Sequence, residues 1–394
     1  MSGPRVIIVD AEELARSMAT RATSSDPLPL DVESNGLHAY RAVTCTVQLG
    51  IGSGGGAEVH EVAVLDPIVG GAGVLAAFRD VFGAAGPRKI VHDLAFDARM
   101  LARDGVPLGN VFDTSLAARF LGVTSTSLAS LVEARLGVKL EKGLQHHDWG
   151  RRPLGPELHG YLAADVAYLP ALARVLQAEL EEKGIAAEVQ LETDHRLSTA
   201  LFDEGDDARP PYVRIKGALD LDAPSLAVLR EVAHVREHAA ERLDSPPFKV
   251  LGNDVLLALA KNKPPSVDAV RAVRGLDHGR GAALALDLAE AVRRGLAAGD
   301  VPVDERAAFL TAKAPLAREQ IDARRGREHR LSAFRRAEAK RRGVDEQVVL
   351  PGHCLQDIAD RVPTTQGELA TIAGIGAIRV ERYGDAILAA VRGT

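Results

Sequence analysis

Leu28-Pro29-Leu30-Asp31-Val32-Glu33 is a short apolar run that closes on two carboxylates at i and i+2. In a β-strand alternate residues share a face, so Asp31 and Glu33 stand side by side. Alone, such a pair is an ordinary solvated strand edge. Its meaning comes from what lies downstream. A second strand-like run, Lys89-Ile90-Val91-His92, leads through Asp93-Leu94-Ala95-Phe96 to a third carboxylate, Asp97. A fourth, Asp165, follows Tyr161 at i+4 in Tyr161-Leu162-Ala163-Ala164-Asp165, a spacing that puts phenol and carboxylate on one helix face. Hard divalent cations take oxygen ligands, and carboxylates from three separate segments can bridge two of them. Carboxylates drawn together repel one another unless a cation lies between them, so function explains such a set better than architecture does.

These residues carry a resemblance. Asp31-x-Glu33, His92 with Asp97 five residues on, and Tyr161-x-x-x-Asp165 resemble the three motifs of the tyrosine-bearing branch of the DEDD 3′→5′ exonucleases, and in particular ribonuclease D. The stretch from Lys142 to Leu154, with Asp148-Trp149-Gly150-Arg151-Arg152-Pro153-Leu154, is similar to the family's signature ahead of its third motif. His147 departs from the usual Ser or Thr, and Ser34-Asn35-Gly36 from a bulkier apolar residue; both departures concern substrate contacts. The resemblance implies an RNase H-like mixed sheet flanked by helices. It also implies two divalent cations, Mg2+ or Mn2+, held by Asp31, Glu33, Asp97 and Asp165, with Tyr161 catalytic beside them. One ion would sit on Asp31, Glu33 and Asp165 by the attacking water, the other on Asp31 and, through water, Asp97. His92, Gln145, Trp149 and Arg152 are candidate substrate contacts. The substrate implied is RNA with a free 3′ end, such as a tRNA precursor, trimmed to nucleoside 5′-monophosphates.

At 394 residues the chain has room for two or three domains. Its two cysteines, Cys45 and Cys354, lie far apart and form neither a bridge framework nor a metal-ligand spacing, which fits a reducing compartment. The apolar run Arg5-Val6-Ile7-Ile8-Val9-Asp10 is too short for a signal peptide, and no stretch approaches the roughly 20 apolar residues of a membrane span. A soluble, cytoplasmic protein, monomeric and without a membrane partner, is the expectation. The net charge of −6 speaks mildly against nucleic acid, but from Lys313 to Arg342 there are eleven Lys or Arg against four Asp or Glu. That run reads either as a salt-bridged helix face or as an RNA-facing one.

Strands are expected at 28–33, 43–51 and 58–65, the last two joined across Gly52-Ser53-Gly54-Gly55-Gly56. A helix at 74–83, a strand at 89–92 and a helix at 94–104 follow, with Asp93 as the cap of the Asp97 helix and Asp113-Thr114 as a second capping pair. The acidic, then proline-rich segment at 203–212 reads as a linker. Beyond it the chain repeats itself. Lys249-Val250-Leu251, Val255-Leu256, Leu259-Ala260, Pro264, Val270 and Gly275-Leu276 recur 99 residues later as Val348-Val349-Leu350, Cys354-Leu355, Ile358-Ala359, Pro363, Leu369 and Gly374-Ile375. Both copies resemble HRDC domains, small all-α modules. The division expected is an exonuclease domain at 1–202, a linker at 203–212, HRDC copies at 213–297 and 323–394, and helix plus linker at 298–322.

Two glycine patterns are set aside. Gly71-Ala72-Gly73-Val74-Leu75-Ala76 approaches a dinucleotide fingerprint, but Pro67 interrupts the approach to it and the unit opens with an antiparallel hairpin, so no nicotinamide cofactor is expected. Gly374-Ile375-Gly376 could offer amides to a phosphate, yet the first copy keeps only Gly275, which points to tight packing. Two rivals stand beside the exoribonuclease: a 3′→5′ DNA exonuclease of repair, and a nucleic-acid-binding scaffold whose nuclease centre is spent. The intact carboxylates and tyrosine speak against the scaffold.

Overall fold

The computed structural model describes residues 3–52, 58–140, 143–144, 146–201, 210–310 and 317–393. Gln145, Lys313, most of the glycine run after Ile51 and most of the acidic linker lie outside the described residues. By its packing the chain divides into two compact units, one of residues 1–34, 44–205 and 317–394 and the other of 35–43 and 206–316.

In the first unit six strands form one mixed sheet: β1 (Arg5–Val9), β2 (Leu28–Ser34), β3 (Thr44–Ile51), β4 (Glu61–Leu65), β5 (Lys89–Val91) and β6 (Val111–Asp113). Their order is β1-β4-β3-β2-β5-β6, and β3 alone runs against its neighbours. Every residue of β3 is buried, as befits a central strand covered on both faces. The sheet agrees with the expected mixed sheet flanked by helices, with one addition. Arg5–Val9, noticed in the sequence only as too short for a leader, pairs in parallel with β4 and forms the edge. The helix expected at 74–83 is two short ones, Ala72–Ala76 and Arg79–Phe82, broken where Phe78 leaves the helical conformation at φ −99°, ψ 5°; a further turn, Pro67–Gly70, precedes them, set off by Gly71 at φ +75°.

Around the sheet lie α1 (Glu12–Thr23), α2 (Leu94–Arg103), α3 (Thr114–Phe120), α4 (Pro156–Ala167), α5 (Leu169–Glu182) and α6 (Ala186–Leu201). Apolar faces of α3, α4 and α5, with Trp149 and the sheet residues Val62, Val64 and Ile90, make one core. The second helical repeat belongs to this same unit, and Val348 enters that core. Its anchor is Arg379, fully buried, whose guanidinium donates to the carbonyls of Val348 at 3.2 Å, Gly374 at 2.7 Å and Glu188 at 3.4 Å. Arg342 and Arg382 both meet the buried carboxylate of Glu188, and His353 stacks on His195 with ring centroids 3.9 Å apart. Gly374, at φ +84°, leaves no room for a Cβ, which would fall 2.5 Å from His353 Nε2, so the glycine serves packing.

The second unit holds the first repeat, built on α7 (Ala223–Arg242), α8 (Asn253–Asn262) and α9 (Ala285–Ala298) around Val228, Leu229, Leu256, Leu259 and Leu288. The segment leaving β2 at Asn35 packs within this unit, where the Tyr40 amide donates to Asp244 at 3.0 Å. In the second repeat α10 (Arg318–Arg342), α11 (Gly352–Arg361) and α12 (Gly376–Arg392) enclose a matching core. The offset of 99 persists in detail: α8 and α11 share it, as do the residues that follow them in left-handed conformation, Lys263 at φ 48° and Val362 at φ 52°. Among the described residues no helix is long and apolar enough to cross a membrane.

Candidate metal centre

The antiparallel register of β2 and β3 sets Asp31 opposite Gln48 and Glu33 opposite Thr46. Cross-strand partners project on one face, so the two carboxylates stand over a polar floor. Gln48 and Thr46 are fully buried, and the Gln48 amide donates to the Thr46 hydroxyl at 2.7 Å. The sequence reading passed over both. The signal was present in Thr44-Cys45-Thr46-Val47-Gln48-Leu49, where a polar residue at every second place interrupts an otherwise apolar central strand. The ladder shifts register between Glu33 and Ser34, and such a bulge turns the chain away from the sheet just past the second carboxylate.

Asp97 lies in the first turn of α2 and is almost entirely buried. Asp93 precedes that helix but does not cap it, contrary to the expectation: it sits at φ 69°, ψ 68° with no side-chain cap bond. The capping carboxylate is that of Asp113 at the end of β6. Its Oδ1 accepts the Asp93 amide and its Oδ2 the Leu94 amide, both at 3.1 Å, while Oδ1 also caps α3 through Ser115 at 2.9 Å and Leu116 at 3.1 Å. One side chain from a neighbouring strand therefore fixes where Asp97 starts its helix.

Asp165 and Tyr161 come from α4, which begins at Pro156, the ring presetting the first helical φ. The segment ahead of α4 corrects two expected substrate contacts. Trp149 is 1% exposed, packed edge-on by His147 at 5.1 Å and tilted against Tyr161 at 5.7 Å, so its ring supports the tyrosine and has no free face for a base. Arg152 spends its guanidinium on the protein. It donates to both oxygens of Asp66 at 2.6 and 2.8 Å, to the carbonyls of Trp149 at 2.7 Å and Arg151 at 2.8 Å, and to Cys45 at 2.8 Å. That uses all five of its N–H donors and clamps the approach to α4 onto β3 and the end of β4. His92 also faces inward, its Nδ1 2.9 Å from the Thr114 hydroxyl, and burial lowers its pKa.

Asp31, Glu33 and Asp165 each bring a carboxylate oxygen into a group spanning no more than 4.8 Å. Asp97 stands outside that group, but one of its buried oxygens has no hydrogen-bond partner. The charges of the cluster are felt at every member. Burial, and then the charges of Asp31 and Asp165, push Glu33 up to about 9. Burial and Asp31 push Asp165 to about 8, and burial lifts Asp31 to about 6. Asp97 is raised by burial first and then by Asp31, Asp113 and Glu33. Tyr161 is raised by burial, Asp165 and Glu33, so it keeps its proton at neutral pH. Crowded, desolvated carboxylates with an orphaned oxygen suit hard divalent cations, which would draw off the protons and compensate the charge.

A 3′-5′ exonuclease family model matches residues 6–181, and an HRDC domain model matches twice, at 225–291 and 325–391. The chain is 29% identical over 264 residues to a ribonuclease D of Desulfotalea psychrophila, covering 65% of this chain and 67% of that protein. It is 30% identical over 243 residues to one of Xanthomonas oryzae pv. oryzae, covering 61% and 64%. The aligned part thus spans about two thirds of these relatives. The crystal structure of Escherichia coli RNase D, an exoribonuclease involved in structured RNA processing, superposes with a TM-score of 0.70 over 99% of both chains at 19% identity, a likeness of fold.

Proposed function

The chain belongs to the ribonuclease D family of 3′→5′ exonucleases, and on that footing we propose that it is a metal-dependent exoribonuclease trimming the 3′ end of structured RNA such as tRNA precursors. The observation that carries this reading is the convergence of Asp31, Glu33 and Asp165 beside the unpartnered oxygen of Asp97. We assign the cations, two of the Mg2+ or Mn2+ class, to these four carboxylates. Bound there, they would supply a lowered water pKa and a charge clamp on the phosphate. Tyr161, protonated and one turn before Asp165, donates a hydrogen bond that orients the attacking water. Trp149 holds the Tyr161 ring, and Asp113 holds the helix of Asp97. The product is a nucleoside 5′-monophosphate. The working division is nuclease at 1–202 and helical repeats at 213–297 and 323–394. A monomer in the cytoplasm is the setting we infer, in keeping with two buried cysteines far apart in the chain.

The test is incubation with matched 3′-labelled RNA and DNA, in Mg2+ and in EDTA, for the parent and Asp31→Asn. RNA should shorten from its 3′ end only with Mg2+, and the variant should be inactive while still binding RNA. Turnover of Asp31→Asn within about tenfold of the parent at saturating Mg2+ would overturn the assignment of that residue. Faster cutting of the DNA would overturn the choice of RNA.

A further inference from the structure

The basic run that straddles the second repeat divides between two faces of α10. One face works inside the protein. Arg324 pairs with Asp360 at 2.5 Å, Arg327 donates to the Ala359 carbonyl at 2.8 Å, and Arg330 to the carbonyls of Ala390 and Val391. Arg335 pairs with Glu346 at 2.9 Å, and Arg342 reaches Glu188. These five cations are therefore structural.

The other face is different. Arg318, Arg325, Arg336 and Lys340 are all exposed, and successive intervals of 7, 11 and 4 residues keep them on one line along the helix. Among the described residues Arg318, Arg325 and Lys340 have no acidic partner, and Arg336, 73% exposed, pairs with Glu346 at 3.5 Å. His329 joins the same line, and Asp322 is the one carboxylate on it. The row runs for about 33 Å along a straight helix. No Phe, Tyr or Trp stands on it: Asp322, His329 and Ala333 lie between the cations, and Ile321, exposed, stands beside the row one turn after Arg318.

We propose that this face is a binding track for the sugar–phosphate backbone of the double-helical part of an RNA substrate, an inference that rests on the exoribonuclease reading above. The occupant follows from charge and shape. A row of exposed cations complements a polyanion, and phosphate contacts supply affinity without reading sequence. Proteins that track a single strand pair a charged groove with aromatic platforms for its unstacked bases. This row lies on the outer face of one helix, not in a groove, and carries a single imidazole, His329, and no Phe, Tyr or Trp, so it suits the outside of a duplex, which is recognised by backbone and shape. The stem would lie along the helix while its 3′ single strand is free to reach the carboxylates. Discrimination among RNAs would then come from carrying a stem, not from base sequence.

The experiment compares the full-length parent with the quadruple variant R318Q/R325Q/R336Q/K340Q, none of whose positions belongs to the nuclease site. Binding is measured in EDTA, so that no turnover intervenes, on a hairpin RNA with a 3′ overhang and on a single strand of the overhang sequence. Cleavage of a short single-stranded oligonucleotide is measured in Mg2+. The variant should bind the hairpin at least about tenfold more weakly, with a plot of log affinity against log salt flatter by up to about 3. Oligonucleotide cleavage and binding of the single strand should stay at parental levels. Hairpin affinity and salt slope equal to the parent's would overturn the proposal and leave the face to an acidic protein partner or to solvent. Equal losses on hairpin and single strand would overturn the assignment to duplex. If the parent itself fails to cut the oligonucleotide, the exoribonuclease reading fails, a result separate from either binding outcome.

Discussion

Asp113 Oδ2 accepts the Leu94 amide at 3.1 Å, so the helix that presents Asp97 hangs from the last residue of a neighbouring strand. Because Oδ1 of the same carboxylate also receives Asp93, Ser115 and Leu116, Asp113→Ala strips caps from two helices at once. Each lost cap costs about 1 kcal/mol, and buried amides left unpaired cost more, so a loss of about 2–3 kcal/mol is expected in urea denaturation. Nuclease activity should fall further than stability explains, since Asp97 loses its anchor. A loss below about 0.5 kcal/mol would show that water replaces the carboxylate.

How far the sequence announced this arrangement depends on the distance over which each signal acts. The strand Leu28–Ser34, the repeat at 99 residues and the inward carboxylates were legible because alternation, apolar period and motif spacing are local. Arg152 was misread as a substrate contact because its partners, Asp66 and the Cys45 carbonyl, lie 86 and 107 residues away along the chain. Asp113 is legible as the cap of the helix that follows it, but its hold on the Leu94 amide is visible only once β6 stands beside α2. The basic run misled by composition. About half of its arginines are held by carbonyls and carboxylates of the repeat and of Glu188, and only the helical phase of the others identifies an outward face.

The raised carboxylates make metal binding and stability depend on pH. Without a cation the folded protein holds protons on Glu33 up to about 9 and on Asp165 up to about 8. Unfolded, these groups release them near their ordinary values of about 4. The folded state therefore binds more protons in between, and stability in EDTA falls as pH rises from about 4 to 9. Mg2+ should remove that fall, with protons released on binding, and Glu33→Gln should flatten it in EDTA. Thermal unfolding between pH 5 and 9, with and without Mg2+, measures both effects. A melting temperature in EDTA that rises steadily to pH 9 would contradict the crowding of the site.

Val362 offers a prediction on stability alone. It follows α11 at φ 52°, ψ 57°, a conformation costly for a β-branched side chain, and its side chain is exposed. Val362→Asn keeps the backbone and suits the left-handed cap, so it should stabilise the second repeat by about 1 kcal/mol. Urea denaturation would measure the gain. A loss of stability would mean that the Val362 methyl groups contribute packing that outweighs the strain.

Tyr161→Phe should slow the chemical step strongly while leaving metal and RNA binding in place. The phenol lies one helical turn before Asp165, and burial together with Asp165 and Glu33 raises its pKa. It is therefore a hydrogen-bond donor at neutral pH and a poor base. Removing one oxygen leaves the ring in its contact with Trp149, 5.7 Å away, so folding should hardly change. Losing a positioned donor of this kind costs on the order of 10²–10⁴ in rate. Single-turnover cleavage of a 3′-labelled RNA gives the rate, and calorimetric Mn2+ titration of parent and variant reports the site itself. Because the phenol shares the cluster's field, its loss should leave Mn2+ affinity within a factor of about 3. Unchanged cleavage would mean that Tyr161 only packs on Trp149, and that the attacking water is oriented by the carboxylates alone.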